Sequence, residues 1–259
     1  MHSKQLKPGK KIYFASDFHL GLPNYKESIE REKIICAWLN EIKHDADTIY
    51  LVGDLFDVWF EYKHVVPKGY TRFLGTLAML SDSGINIEIF TGNHDLWMKD
   101  YFLKEMNITV HFNPVLISIN NKKFYIAHGD GLGPGDKGYK LLKSIMSNRL
   151  AQWIYRRLHP DTGIAIADYF SKKGDKHQLE DATYLGPEKE WLVVHSKNML
   201  TTTHVDYFIY GHRHIMLHLP LNESSFVINL GDWLQYYSYA VFDGQTTTLL
   251  SYHKKRDRS

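Results

Sequence analysis

Disulfides, membrane spans and charge imbalance are all missing from this sequence. One cysteine, Cys36, in 259 residues leaves no internal disulfide framework, which fits a reducing compartment. No apolar stretch approaches the roughly 18 residues needed to cross a bilayer. The N-terminal MHSKQLKPGKK carries charge with no apolar segment behind it, which is not the pattern of a secretory signal. The formal net charge is +2 with histidines neutral, and the dense basic run is confined to Lys254-Lys255-Arg256. That gives no electrostatic case for nucleic acid. The expectation is a soluble, cytoplasmic chain, peripheral to a membrane at most, and nothing marks an obligate protein partner. With 44% hydrophobic residues the chain has enough apolar material for one large domain spanning 1–259.

What the sequence has is histidine, fifteen in all, and the placement matters more than the count. Five short apolar runs each end in Gly, Asp, Asn or His. These are Ile12 to Ala15 before Ser16-Asp17-Phe18-His19, and Ile49 to Val52 before Gly53-Asp54. Then come IEIF before Thr91-Gly92-Asn93-His94-Asp95, Phe124 to Ala127 before His128-Gly129-Asp130, and Tyr207 to Tyr210 before Gly211-His212-Arg213-His214. Runs of this length bounded by turn residues read as strands buried on both faces. Helical faces lie between the first three. Ile34, Ile35, Trp38, Leu39 and Ile42 follow a cap at Asn24 with Glu27 three residues on, and Phe73, Leu74, Leu77 and Leu80 are closed by Ser83-Gly84. SFVINLGDW, YAVFDG and TTTLLSYH read as further strands, with a hairpin turn at Asp243-Gly244. The pattern is α/β, with a mixed sheet or two stacked sheets.

In open α/β sheets, sites form outside the carboxyl ends of strands. The rim collected there is Asp17, His19, Asp54, Asn93, His128, His212 and His214. Imidazole nitrogens with carboxylate and amide oxygens suit divalent cations such as Mn, Fe, Zn and Co. One ion takes about four to six ligands, so these groups are too many for one. Two ions sharing a carboxylate use them all, in the arrangement that catalyses in-line displacement at phosphorus. In a strand alternate residues face the same side, so Asp17 with His19, and His212 with His214, can each present two groups together. Each motif alone has a bland reading: a cap at Asp17, turns at Asp54 and Asn93, and a helix cap at Asp57. The five in this order, each at a strand end, do not.

D-x-H, G-D, G-N-H-D, H-G-D and G-H-x-H in this order, from Asp17 to His214, resemble the calcineurin-like metallophosphoesterase superfamily. The resemblance implies a four-layer αββα sandwich of two mixed sheets holding two metals. Asp17, His19, Asp54 and His214 would hold one, and Asp54, Asn93, His128 and His212 the other, with Asp54 bridging. It implies that His94 acts at the leaving group or stabilises the phosphoryl oxygens, with Asp95 orienting its imidazole. DFHLG, GDLFDVW, SDSGINIEIFTGNHD, HGDGLGPGDKGY and LGDW are also similar to the UDP-2,3-diacylglucosamine hydrolases of lipid A biosynthesis. That family hydrolyses the pyrophosphate of a lipid-linked UDP-sugar, with Mn as its usual activator, and covers its site with a helical lid that holds acyl chains. By that likeness the stretch 136–200 is a helical lid insertion, and Asp136 and Tyr139 contact substrate. Independently of it, YKLLKSIMSNRLAQWIYRRLHP interleaves Leu142, Ile145, Leu150, Trp153, Ile154 and Leu158 with basic residues, as an amphipathic helix or helix pair does. Such a face either packs on the sheet or forms an apolar tunnel or an interfacial contact, which the likeness would place at the inner membrane. Those hydrolases carry Arg where this chain has His94. A related phosphoesterase acting on a nucleotide or other soluble phosphoester is therefore the alternative, and a non-catalytic scaffold is opposed by the intact set of ligands.

Overall fold

The computed structural model describes residues 2–133, 137–146, 148–180 and 183–252. In chain order the elements are β1 (His2–Lys4), β2 (Lys11–Ala15), α1 (Tyr25–Ile42), β3 (Ala46–Val52), α2 (Thr71–Asp82), β4 (Asn86–Phe90), α3 (Tyr101–Met106), β5 (Thr109–His111), β6 (Val115–Ile119) and β7 (Lys122–Ile126). There follow α4 (Lys137–Met146), α5 (Arg149–Tyr155), α6 (Pro160–Glu180), α7 (Trp191–Leu200), β8 (Tyr207–Tyr210), β9 (Met216–Pro220), β10 (Phe226–Leu230), β11 (Ser238–Phe242) and β12 (Thr247–Ser251). The strands form two six-stranded sheets, ordered β1-β6-β7-β8-β10-β9 and β12-β11-β2-β3-β4-β5. Both are mixed. β2, β3, β4 and β5 run parallel, as do β7, β8 and β10, while β9, β11 and β12 are antiparallel to their neighbours.

Alternation along the strands feeds separate cores from the two faces of each sheet. Ile12 and Phe14 of β2, Tyr50 and Val52 of β3 and Phe90 of β4 meet Phe124, Ile126, Tyr207, Ile209, Ile228 and Leu230 between the sheets. The alternate residues Tyr13, Ala15, Ile49, Leu51, Ile87 and Ile89 face outward onto Trp38 and Leu39 of α1, Phe73 and Leu77 of α2 and Phe102 of α3. On the far side, Tyr125, Phe208, Tyr210 and Val227 pack against Leu192 and Val193 of α7. The result is the helix–sheet–sheet–helix stack expected. α7 falls within the 136–200 stretch expected as an insertion, and its buried residues cover the outer face of the first sheet.

Local chemistry sets the helix ends. The Asn24 side chain accepts from Glu27 N and starts α1, and Ser83 closes α2 by donating its backbone N–H to Met79 O. Four strands escaped the sequence reading. β1, β5 and β9 are edge strands, the first two of three residues, and β9 ends in Pro220. An edge strand buries little, so it leaves little pattern. β6 is internal, and its VLISI does carry a legible apolar signal. Phe124 is fully buried and stacks between Phe14 and Tyr207 at centroid distances of 5.8 and 5.0 Å. Phe124→Ala should cost about 3–5 kcal/mol, read as a lowered midpoint in urea unfolding at unchanged slope.

Candidate metal centre

The parallel strands deliver their C-terminal ends to one rim, and each apolar run stops one or two residues before its first polar group. The expectation that Asp17/His19 and His212/His214 share a face through strand alternation is incorrect. β2 ends at Ala15 and β8 at Tyr210, and beyond them the backbone turns left-handed, with φ of 54° at Asp17, 43° at His19, 68° at His212 and 50° at His214. Asp54 has φ 52°. Left-handed backbone at non-glycine residues is costly and gathers at functional sites. Here neighbouring loops hold it: Asp17 N donates to Gly53 O at 3.0 Å, His19 N to Asp54 O at 3.0 Å and Gly211 N to His128 O at 2.9 Å. Glycine recurs because the loops nearly touch. A Cβ at Gly211 would lie 2.5 Å from Asp17 Oδ2, and one at Gly92 would overlap Asp54.

The expected ligands come together in two groups. Asp17, His19 and His214 form one: His19 Nε2 is 3.2 Å from His214 Nε2, and His214 Nε2 is 3.4 Å from Asp17 Oδ1. Asp54, His128 and His212 form the other, with Asn93 between them. His128 Nε2 lies 3.1 Å from Asp54 Oδ2 and 3.2 Å from Asn93 Oδ1, and His212 Nδ1 is 2.9 Å from the same Asn93 oxygen. Asp54 Oδ2 also stands 3.9 Å from His19 Nε2, so this carboxylate touches both groups. Asp54 Oδ1 accepts from His94 N at 2.9 Å, which fixes its orientation.

The donor set fits divalent cations. His128 Nδ1 lies 2.8 Å from the Val52 carbonyl oxygen, which can only accept. Nδ1 therefore keeps its proton, and Nε2, once it gives up its own, turns a lone pair to the space between Asp54 Oδ2 and Asn93 Oδ1. His214 Nδ1, 3.3 Å from Asp232 Oδ2, turns its Nε2 to Asp17 in the same way. Lone pairs converging in a buried site require a positive charge among them. The charges around the site act in the same direction. Burial favours the neutral acid at Asp54, yet the nearby charges of His128 and His94 hold it well below the usual carboxylate range. Burial lowers His128, and the Asp54 charge more than reverses this, to about 10. His212 is pushed down to about 4 by burial and then by the charge of His128. A proton on His128 and a cation thus compete for one field.

Asp95 requires a correction. It does not orient His94: its Oδ1 accepts from Gly92 N at 2.7 Å and its Oδ2 from Leu55 N at 2.8 Å, so it ties the G-N-H-D loop to the loop after β3. Asp57, read from sequence as a helix cap, stands at His94 instead. His94 Nδ1 is 3.1 Å from the Asp57 carbonyl and 3.4 Å from Asp57 Oδ1. Reading Asp95 as the partner followed adjacency in sequence, whereas the G-D-x-x-D spacing brings Asp57 round from another loop. Arg31 was also missed. It is buried, donates to Phe18 O at 2.8 Å and Leu22 O at 2.6 Å, reaches His19 O, and so pins the D-x-H loop. Its signal was a charge on the apolar face of α1, four residues before Ile35. Asp136 lies outside the described residues, as does the side chain of Tyr139.

Two measurements check the centre. Asp54→Ala should lose both ions and all turnover, read by metal analysis after gel filtration. Because His128 must shed its proton, metal binding should release protons and tighten as pH rises from 6 to 8. Calorimetry in buffers of different ionisation enthalpy reads this, and affinity independent of pH would contradict it.

The calcineurin-like phosphoesterase family model matches residues 10–216. A Porphyromonas gingivalis protein called UDP-2,3-diacylglucosamine hydrolase is 39% identical over 254 residues, covering 93% of this chain and 97% of its own. Proteins of the same name from Shewanella sp. (strain W3-18-1) and Pseudomonas aeruginosa (strain UCBPP-PA14) are 27% and 25% identical. Both matches cover 86% of this chain, with 88% and 90% of those proteins. With the family model spanning all five motifs and a relative matching nearly end to end, the chain belongs to the calcineurin-like phosphoesterases, a family of hydrolases that work with divalent metals.

Proposed function

We propose that this chain hydrolyses the pyrophosphate of UDP-2,3-diacylglucosamine, giving UMP and 2,3-diacylglucosamine 1-phosphate in lipid A biosynthesis. The observation that carries this reading is the end-to-end likeness to a protein of that name, which takes in the helical segment between β7 and β8 as well as the metal motifs. A match to the motifs alone would support only a phosphoesterase. When bound, two ions supply hydroxide near neutral pH and offset charge on phosphoryl oxygens. Asp17, His19 and His214 would hold one, Asn93, His128 and His212 the other, with Asp54 shared, and manganese is the metal proposed.

The residues around that centre divide the remaining work. His94 packs edge-on to His19 at 4.9 Å and donates its backbone N–H to the shared Asp54. Its imidazole is thus fixed beside the phosphoryl site, where it neutralises charge on the leaving oxygen as water attacks the α-phosphorus. Asp232 orients His214, and Val52 O orients His128.

We assign 136–200 as the lid over this site, with α4, α5 and α6 as its outer helices and α7 as its anchor on the body. Leu150, Trp153, Ile154, Tyr169 and Phe170 on α5 and α6 are each more than half exposed. Arg157 lies over the Trp153 ring at 4.6 Å. An apolar surface with basic residues at its edge suits acyl chains and an anionic headgroup layer. Among the described residues no helix is long and apolar enough to cross a membrane. The protein is therefore proposed to work from the cytoplasmic side, in peripheral contact with the inner membrane that holds its substrate.

Turnover of UDP-2,3-diacylglucosamine should exceed that of UDP-N-acetylglucosamine by at least about 100-fold in kcat/KM. Equal rates would replace this reading with a phosphoesterase of soluble substrates. His94→Ala should keep its metals and lose about 10²–10⁴-fold in kcat, whereas loss of metal would make His94 a ligand.

A further inference from the structure

One contact between the helices after β7 and the body ends on the catalytic imidazole. Ser171, on α6, donates its hydroxyl proton to Asp57 Oδ1 at 2.6 Å. The same hydroxyl oxygen lies 3.1 Å from His94 Nδ1. It reaches these partners across 114 and 77 residues of chain.

The hydrogen-bond directions are determined by what each atom can do. The Asp57 carbonyl and carboxylate oxygens near His94 Nδ1 only accept, so Nδ1 carries a proton. The Ser171 hydroxyl has one proton and gives it to Asp57 Oδ1, so its lone pairs accept from Nδ1. His94 Nδ1 therefore sits in a cradle of three oxygens, two from Asp57 and one from Ser171. The His94 and Asp57 side chains are 6% and 5% exposed, so little water competes for these bonds.

We propose that Ser171 is a positioning residue, whose hydroxyl on α6 clamps Asp57 against His94 so that the imidazole is aimed only while this helix is seated over the site. The proposal rests on His94 acting at the phosphoryl group. It deepens that reading by making the covering segment a part of the catalytic geometry as well as a substrate enclosure. Other bonds seat the segment without Ser171. Arg156 Nε donates to Glu61 O at 3.1 Å, and Trp97 Nε1 donates to Met146 O at 2.7 Å. Removing one hydroxyl should thus loosen the imidazole without unseating the helices.

The test compares wild type, Ser171→Ala and Ser171→Thr in the full chain loaded with manganese. Each is assayed on UDP-2,3-diacylglucosamine and on bis(p-nitrophenyl) phosphate, a small diester that carries no acyl chain. Ser171→Ala should lose about 10–100-fold in kcat on both, with KM within about two-fold and metal content unchanged. Ser171→Thr, which keeps a hydroxyl, should recover most of the loss. Nitrogen NMR of histidine-labelled, metal-free protein should show sharp His94 ring signals in wild type and exchange-broadened ones in Ser171→Ala, with Nδ1 protonated in both because Asp57 still accepts there. A raised KM on the lipid substrate alone would make Ser171 a substrate contact and overturn the proposal, as would unchanged kcat or His94 signals as sharp in Ser171→Ala as in wild type. Wild type active on the small diester and inactive on the lipid substrate would refute the substrate assignment and leave the Ser171 comparison readable on the diester.

Discussion

Everything at the rim depends on one buried carboxylate, Asp54. It is fully excluded from water, fixed at one oxygen by His94 N, and faced at the other by His128 with His19 beyond. Burying a carboxylate costs several kcal/mol unless positive charge comes with it. His128 is aimed by its far nitrogen at Val52 O so that Nε2 can offer a lone pair beside Asp54, which makes a cation the partner that satisfies the set. The neighbouring Asp95 shows the opposite outcome of the same physics. Burial and the charge of Asp54 push it up to about 7, though backbone N–H groups of Gly92 and Leu55 and the charge of His128 oppose this. Its place is that of a brace between loops.

The fold serves this carboxylate by supplying strand ends. Two sheets with a shared core bring β2, β3, β4, β7 and β8 to a common edge, and the loops beyond them stay close because each donates to the next. Left-handed backbone at five of the expected ligands and glycines beside two of them are consequences of that crowding. The strain is held by packing beneath: Arg31 grips the loop after β2 from α1, and Arg213 is bound to Glu190 and stacked on Trp191 at the start of α7. The helices outside the sheets thereby reach the site through buried cations.

The strands that lead to the rim, the first two helices and every candidate ligand were legible in the sequence, because buried strands leave apolar runs and candidate ligands follow them where the backbone turns. What was not legible has two physical causes. Edge strands such as β1 and β5 bury too little to pattern their residues. Partners across loops, such as Asp57 with His94 or Ser171 with Asp57, are set by tertiary geometry that adjacency in sequence misrepresents. The mistaken assignment of Asp95 is the clearest case: the nearer carboxylate is turned away by two backbone hydrogen bonds. The resemblance to known hydrolases supplied the pairing of ligands into two sites, which residue types alone left open.

The account turns on two cations sharing Asp54, and anomalous diffraction from crystals loaded with manganese addresses this most directly. It should show two peaks about 3.5–4 Å apart with the Asp54 carboxylate between them, one beside His19 and His214 and the other beside His128 and His212. A single peak, or two peaks with Asp54 bound to neither or only one, would contradict the shared-carboxylate centre.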